Sequence, residues 1–218
     1  MSEIFKTLLG PLNCDSKEEN VEFRLETEER RIRGFFNNNG IDLENHLVVI
    51  FHPGSSANFT NRRWPAQEFK TLAKKLLDYN IVRIILTGNS QDESDLTRDI
   101  AFSINNHRVV DASGKFTLEE FIALIKLSNL IVASDTAPIQ ISSYFHRPCV
   151  SFYGPNTPFL YGPKNSNGII FYKPFPCSPC ISNLNSKKSN CRNPRCINSI
   201  TAEEVFQEIK HNFFPIRK

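Results

Sequence analysis

From residue 47 onward the chain alternates short, uninterrupted apolar runs with amphipathic stretches. The runs are Leu47-Val48-Val49-Ile50-Phe51, Ile81 to Leu86, Arg108-Val109-Val110-Asp111, Leu130-Ile131-Val132-Ala133 and Cys149 to Tyr153. Helical patterns lie between them at about 65–79, 91–104, 117–128 and 137–146, and Thr201-Ala202-Glu203-Glu204 opens a last helix with capping-box spacing. Thr117-Leu118-Glu119-Glu120 has the same spacing, and Pro65 suits a first helical turn. Strands that are apolar throughout, separated by helices, predict a parallel sheet covered on both faces. The fold class is α/β, a doubly wound parallel sheet, and its ligands are expected at the carboxyl ends of the strands.

Residues 1–46 are different, rich in charge and short of long apolar runs, and read as an extension ahead of a domain at 47–218. Within them the alternation Val21-Glu22-Phe23-Arg24-Leu25 predicts a half-buried strand, and Thr27 to Phe36 a charged helix ended by Asn37-Asn38-Asn39-Gly40. No internal repeat is evident.

Composition adds little to this picture. Hydrophobic residues make up 40% and charged residues 22% of the 218 positions, as in an ordinary globular protein. Twenty-six Lys and Arg against 23 Asp and Glu leave a net charge of +3, too small to argue for nucleic acid or membrane. No stretch approaches the roughly 18 apolar residues of a membrane span, and the amino terminus lacks a signal peptide's apolar stretch. The expected location is cytoplasmic, with at most peripheral contact at the inner face of a membrane.

Candidate chemistry sits where strands give way to helices. Ser134-Asp135-Thr136-Ala137-Pro138 follows the fourth run, a turn that directs open backbone N–H groups to the sheet edge where a phosphate can be held. The functional role of Asp135 would be to accept from sugar hydroxyls and that of Thr136 to serve phosphate; the alternative is that Asp135 only caps the helix. Gly154-Pro155-Asn156-Thr157-Pro158 repeats the device after the fifth run. His52-Pro53-Gly54-Ser55-Ser56-Ala57-Asn58, then Arg62-Arg63-Trp64-Pro65, follow the first run; Gly and Ser admit an anion closely and an arginine fork can meet the same phosphate. An ordinary turn with a solvated arginine pair explains them equally well. Thr87-Gly88-Asn89-Ser90 precedes Gln91-Asp92-Glu93, where an acid either accepts from ribose hydroxyls or complements the helix dipole. The five histidines are scattered and carry no assigned chemistry.

Four of the six cysteines crowd one loop as Cys177-x2-Cys180-x10-Cys191-x4-Cys196, a spacing within the range of structural zinc sites. Free thiols, a redox pair and disulfides are the alternatives. Lys187, Lys188, Arg192 and Arg195 interleave with them, a patch that meets phosphate or is a solvated loop.

Taken in order over about 47–213, these motifs resemble glycosyltransferase family nine, the ADP-heptose:lipopolysaccharide heptosyltransferases. The match runs through His52-Pro53-Gly54-Ser55, Arg62-Arg63-Trp64-Pro65, Leu86-Thr87-Gly88, Asp135-Thr136, Phe152-Tyr153-Gly154-Pro155-Asn156-Thr157-Pro158 and Cys177-Ser178-Pro179-Cys180. The resemblance implies the Rossmann-like carboxyl-terminal half of a GT-B enzyme, with residues 1–46 as an interdomain connection. It implies a nucleotide-sugar donor, ADP-heptose, at Ser55, Arg62, Asp92, Asp135, Thr136 and Ala137, and a lipopolysaccharide-core or related glycan as acceptor. Arg62 takes the place of the family's donor-phosphate lysine. Two positions depart: the family continues Asp-Thr with glycine and, three residues later, histidine, where this chain has Ala137 and Gln140. The acceptor domain and its general base are expected outside this sequence, so no catalytic residue is assigned within it and no metal is required for transfer. The alternative is a non-catalytic, truncated or split binding module, completed by a separate acceptor-domain polypeptide. Nucleic acid is not expected as a partner.

Overall fold

The computed structural model describes residues 22–164, 167–182 and 189–214. Six strands, β1 (Leu47–His52), β2 (Val82–Leu86), β3 (Val109–Asp111), β4 (Leu130–Ser134), β5 (Cys149–Tyr153) and β6 (Gly168–Tyr172), form one sheet in the order β3-β2-β1-β4-β5-β6. All five pairings are parallel. This is the doubly wound order of a dinucleotide-binding fold, and it reverses direction between β1 and β4, where such sheets open a crevice. Five of the strands lie on the predicted runs. The sixth was not foreseen.

The four inner strands β1, β2, β4 and β5 turn both faces to the interior, while the edge strands β3 and β6 are only partly buried. Val49 and Phe51 join Phe69, Leu72, Leu76, Val205 and Ile209 on one side, beneath helices α2 (Ala66–Leu76), α3 (Gln91–Ile104) and α8 (Ala202–Phe213). Val48 and Ile50 join Ile32, Phe36, Ile125 and Ile139 on the other, beneath α1 (Glu26–Asn38), α4 (Leu118–Leu127) and α5 (Ala137–Tyr144). Two short helices, α6 (Pro158–Tyr161) and α7 (Arg195–Asn198), complete the described elements. The capping boxes expected at Thr117 and Thr201 are formed, and Ser90 builds a third with Glu93.

One local expectation is overturned. Residues 22–25 are not a strand; Leu25 is instead buried as the residue before α1. An apolar side chain at the helix start packs with Ile32 and Phe36 over the sheet, which a lone alternating segment with no neighbouring strand could not do. Val21, Cys14, Lys187 and Lys188 lie outside the described residues.

Register fixes the site. Phe51 pairs with Leu86 on one side and Val132 on the other, so β1, β2 and β4 end level with one another. The loop after β1 is therefore flanked by the loops after β2 and β4.

Candidate functional site

The loop after β1 carries two adjacent arginines that serve different neighbours. A 3-10 turn, Ala57–Arg62, kinks at Phe59, and Arg63 then leaves it in extended backbone. Arg62 turns toward β4, donating from Nη1 to Oδ2 of Asp135 at 3.2 Å, with its guanidinium 4.4 Å from the centre of the Phe59 ring. Arg63 turns the other way. Its Nη2 donates to the Ser55 carbonyl at 2.6 Å and pairs with Asp92 at 2.5 Å, while its Nε donates to the Ser55 hydroxyl at 3.2 Å.

What holds this loop is Trp64. Its backbone N–H donates to Ser134 Oγ at 3.0 Å and its indole N–H to the Ile200 carbonyl at 2.9 Å. The ring stacks on Phe152 with centroids 4.2 Å apart and meets Phe69 edge-on at 4.9 Å. The arginine loop is thus bolted both to the end of β4 and to the turn before α8.

Asp135 is buried at 8% exposure and its Oδ2 accepts twice, from Arg62 and from Asn156 Nδ2 at 2.6 Å. Asn156 is itself only 6% exposed. Thr136 is the N-cap residue of α5, but its hydroxyl donates back to the Ser134 carbonyl at 3.1 Å rather than capping the helix. No side chain caps α5 and no acid stands in its first turn. Pro138 has no N–H and the Ile139 N–H donates to the Thr136 carbonyl at 3.1 Å, so the amide of Ala137 is the first-turn donor left to an anion. Among the described residues, positive φ occurs outside glycine only at Asn105 and His146. The backbone of Ala137 thus needs no glycine. Gln140 does not face the arginines; its Nε2 donates to the Tyr161 carbonyl at 2.7 Å, as does the Tyr153 hydroxyl at 2.7 Å. Burial, with the Asp135 carboxylate nearby, keeps that phenol protonated far above neutral pH.

A second group lies across the loop. His52, the last residue of β1, hydrogen-bonds the Thr87 hydroxyl at 3.1 Å and faces Glu93 at 4.0 Å. Glu93 accepts from the amides of Asn89 and Ser90, and these bonds, with His52, outweigh the burial that pushes its pKa up, for a net lowering. Only glycine fits beside it, since a Cβ on Gly54 would come within 2.5 Å of Glu93 Cγ. An apolar cleft opens here, lined by His52, Thr87, Gly88, Ala112, Phe116 and Phe121 among others.

Burial, aided by Arg63 and opposed by Glu93, lowers the His52 pKa from 6.5 to about 4. A neutral imidazole in the fold that protonates readily once unfolded gives stability that is full above pH 6.5 and is lost as pH falls toward 4. Denaturant unfolding between pH 7 and 4.5 is therefore expected to show falling stability, with a shallower slope in His52→Gln.

The predicted donor residues accordingly fall into two neighbouring sets. Arg62, Asp135, Thr136 and Ala137 gather at the β1/β4 crevice, whereas Ser55 and Asp92 are tied together by Arg63 on the β2 side. Asn156, Arg63, Glu93 and His52 were not assigned from sequence. Asn156 lies in Gly154-Pro155-Asn156-Thr157-Pro158, and its spacing from a strand end is the signal that points to it.

The cysteine segment leans on the loop after β5. The amide of Ile181 donates to the Pro155 carbonyl at 2.8 Å, the Ser178 hydroxyl bonds the Gly154 carbonyl, and Cys196 is buried against Gly154. Cys177 is exposed, and burial, with Cys180 and Cys191 nearby, raises the Cys196 pKa. Among the described residues no three His, Cys, Asp or Glu side chains come together as a metal site requires. The zinc expected from the spacing would have to gather its own ligands.

No helix among the described residues is long and apolar enough to cross a membrane. Known proteins share the fold and much of the sequence pattern. The chain is 24% identical over 176 residues to lipooligosaccharide heptosyltransferase 2 of Campylobacter jejuni, covering 79% of this chain and 54% of that protein. It is 27% identical over 126 residues to lipopolysaccharide heptosyltransferase 2 of Escherichia coli, covering 56% and 35%. Among solved structures it resembles a family 9 glycosyltransferase of Veillonella parvula with TM-score 0.73 and 21% identity, covering 96% of this chain and 58% of the other. It also resembles E. coli ADP-heptose lps heptosyltransferase II, with TM-score 0.67 and 19% identity over 88% and 52% of the two chains. The chain thus spans about half the length of the relatives it matches. A model of glycosyltransferase family 9 (heptosyltransferase) matches residues 2–190, and to that family this chain belongs.

Proposed function

We propose that this chain supplies the donor-binding half of a heptosyltransferase, holding a nucleoside diphosphate sugar, ADP-heptose, at the β1/β4 crevice for transfer to a lipopolysaccharide-core or related glycan. The observation that carries this reading is Arg62 poised beside the open amino terminus of α5. A permanent positive charge and the first-turn amide of Ala137 stand together at the strand ends. On arrival of a diphosphate, Arg62 exchanges Asp135 for phosphate oxygens, and the released carboxylate accepts from sugar hydroxyls. The nucleobase lies in the apolar cleft beside His52, where Phe116 and Phe121 offer ring surface.

In the transfer step an acceptor hydroxyl attacks the anomeric carbon, the bond from that carbon to the diphosphate oxygen breaks, and the hydroxyl proton passes to a base. Arg62 and the Ala137 amide stabilise the charge that accumulates on the departing diphosphate. The acceptor and the base belong to a second unit, of the same or another polypeptide. Phe159, 89% exposed, and Leu160 project from α6 just beyond the Asn156 loop as an apolar ridge for that unit. In support, the structure of the E. coli heptosyltransferase WaaC with ADP aligns with 95% of this chain at TM-score 0.61 and 18% identity, and the alignment takes up 54% of that protein.

The reading predicts calorimetric binding of ADP that weakens stepwise to AMP and adenosine as phosphates are removed. Equal affinity for all three, or no binding, would contradict it.

A further inference from the structure

Two buried polar atoms at the crevice have no partner, Nε of Arg62 and Oδ1 of Asn156. Buried polar groups are nearly always satisfied, because an orphan has given up its bonds to water and gained none in return. Both orphans belong to the side chains that grip Oδ2 of Asp135, and they are of opposite kind: one donates, the other accepts. The amide orientation of Asn156 is fixed by chemistry, since turning it over would set its oxygen against the carboxylate. Oδ1 of Asp135 takes no hydrogen bond from the described residues, which adds a second acceptor at the same place.

A phosphate oxygen only accepts, so it can answer the arginine but never Asn156. A sugar hydroxyl donates and accepts, and answers all three groups. We propose that Asn156 is a specificity-determining residue that holds the Asp135 carboxylate with its NH2 and takes a hydrogen bond on Oδ1 from a hydroxyl of the transferred sugar. Two acceptors side by side fit hydroxyls on neighbouring carbons, and the turn of Arg62 from Asp135 to diphosphate opens the approach. The inference rests on the donor reading above and adds to it the group that tells a nucleotide sugar from the bare nucleotide.

The test titrates ADP and ADP-heptose into the wild type, Asn156→Ala and Asn156→Leu, with thermal melts to show that each is folded. Asn156→Leu preserves the branched shape without the acceptor should the alanine variant fail to fold. The wild type is expected to prefer ADP-heptose to ADP. Either substitution should weaken ADP-heptose roughly tenfold, the worth of one lost hydrogen bond, and change ADP by less than about threefold. Equal weakening of both ligands, or an unchanged preference, overturns the proposal. A wild type that binds ADP without preferring the sugar also overturns it while leaving the nucleotide reading intact; failure to bind ADP removes both.

Discussion

Trp64→Ala should lower the unfolding free energy by about 3–5 kcal/mol, the range for emptying a large buried aromatic site. The side chain is 1% exposed, stacked on Phe152, and its N–H satisfies a buried carbonyl at Ile200 that alanine would leave unpaired. For a domain of this size that corresponds to a fall in Tm of roughly 6–20 °C. Phe102→Ala makes a fair control, since Phe102 is 85% exposed and its loss should change stability by no more than about 0.5 kcal/mol. The tryptophan variant should also lose nucleotide affinity beyond what instability explains, because the indole, stacked on Phe152 and bonded to the Ile200 carbonyl, holds in place the loop that carries Arg62. Binding measured well below the variant's Tm separates the two effects.

Arg62→Ala carries the second large effect. A hydrogen bond to a charged group contributes about 1.5–3 kcal/mol, so ADP should bind roughly 10- to 150-fold more weakly. The same substitution leaves the Asp135 carboxylate without its cation in a site where only 10% of that side chain is exposed, and stability should fall as well. The double variant Arg62→Met with Asp135→Asn distinguishes these causes. Removing both charges should restore much of the stability and none of the ADP affinity. Recovery of binding in the double variant would show that Arg62 serves only to neutralise Asp135.

The sheet was legible because its strands are apolar on both faces, so that Leu47 to Phe51 or Leu130 to Ala133 cannot be mistaken for surface. β6 escaped for the opposite reason. It lies at the sheet edge, partly exposed along its length, and Gly168-Ile169-Ile170-Phe171-Tyr172 follows an Asn-rich stretch that resembles a loop. The helix at residues 26–38 was expected, but not that Ile32 and Phe36 would be sealed against Ile50 and Ile131, since a charged amphipathic segment does not declare its partner.

At the site, sequence located the strand ends but could not say which side chains meet. Arg62 and Asp135 are 73 residues apart, and only the β1/β4 register brings them to 3.2 Å. Two adjacent arginines look interchangeable in a string of letters; the bend from 3-10 turn to extended chain at Arg63 sends one to Asp135 and the other to Ser55 and Asp92. Ala137 and Gln140 departed from the family pattern, yet the first sits in ordinary helical backbone and the second supports the Tyr161 turn. His52 stands in the family-like His52-Pro53-Gly54-Ser55 motif but showed no role, because its partners Thr87 and Glu93 come from the next βα unit.

The most direct test of the donor pocket is a crystal structure of this chain grown with ADP. The account predicts the diphosphate at the amino terminus of α5 within hydrogen-bonding reach of Arg62, with Asp135 freed from that arginine. A diphosphate bound elsewhere, with the Arg62–Asp135 pair intact, would contradict it.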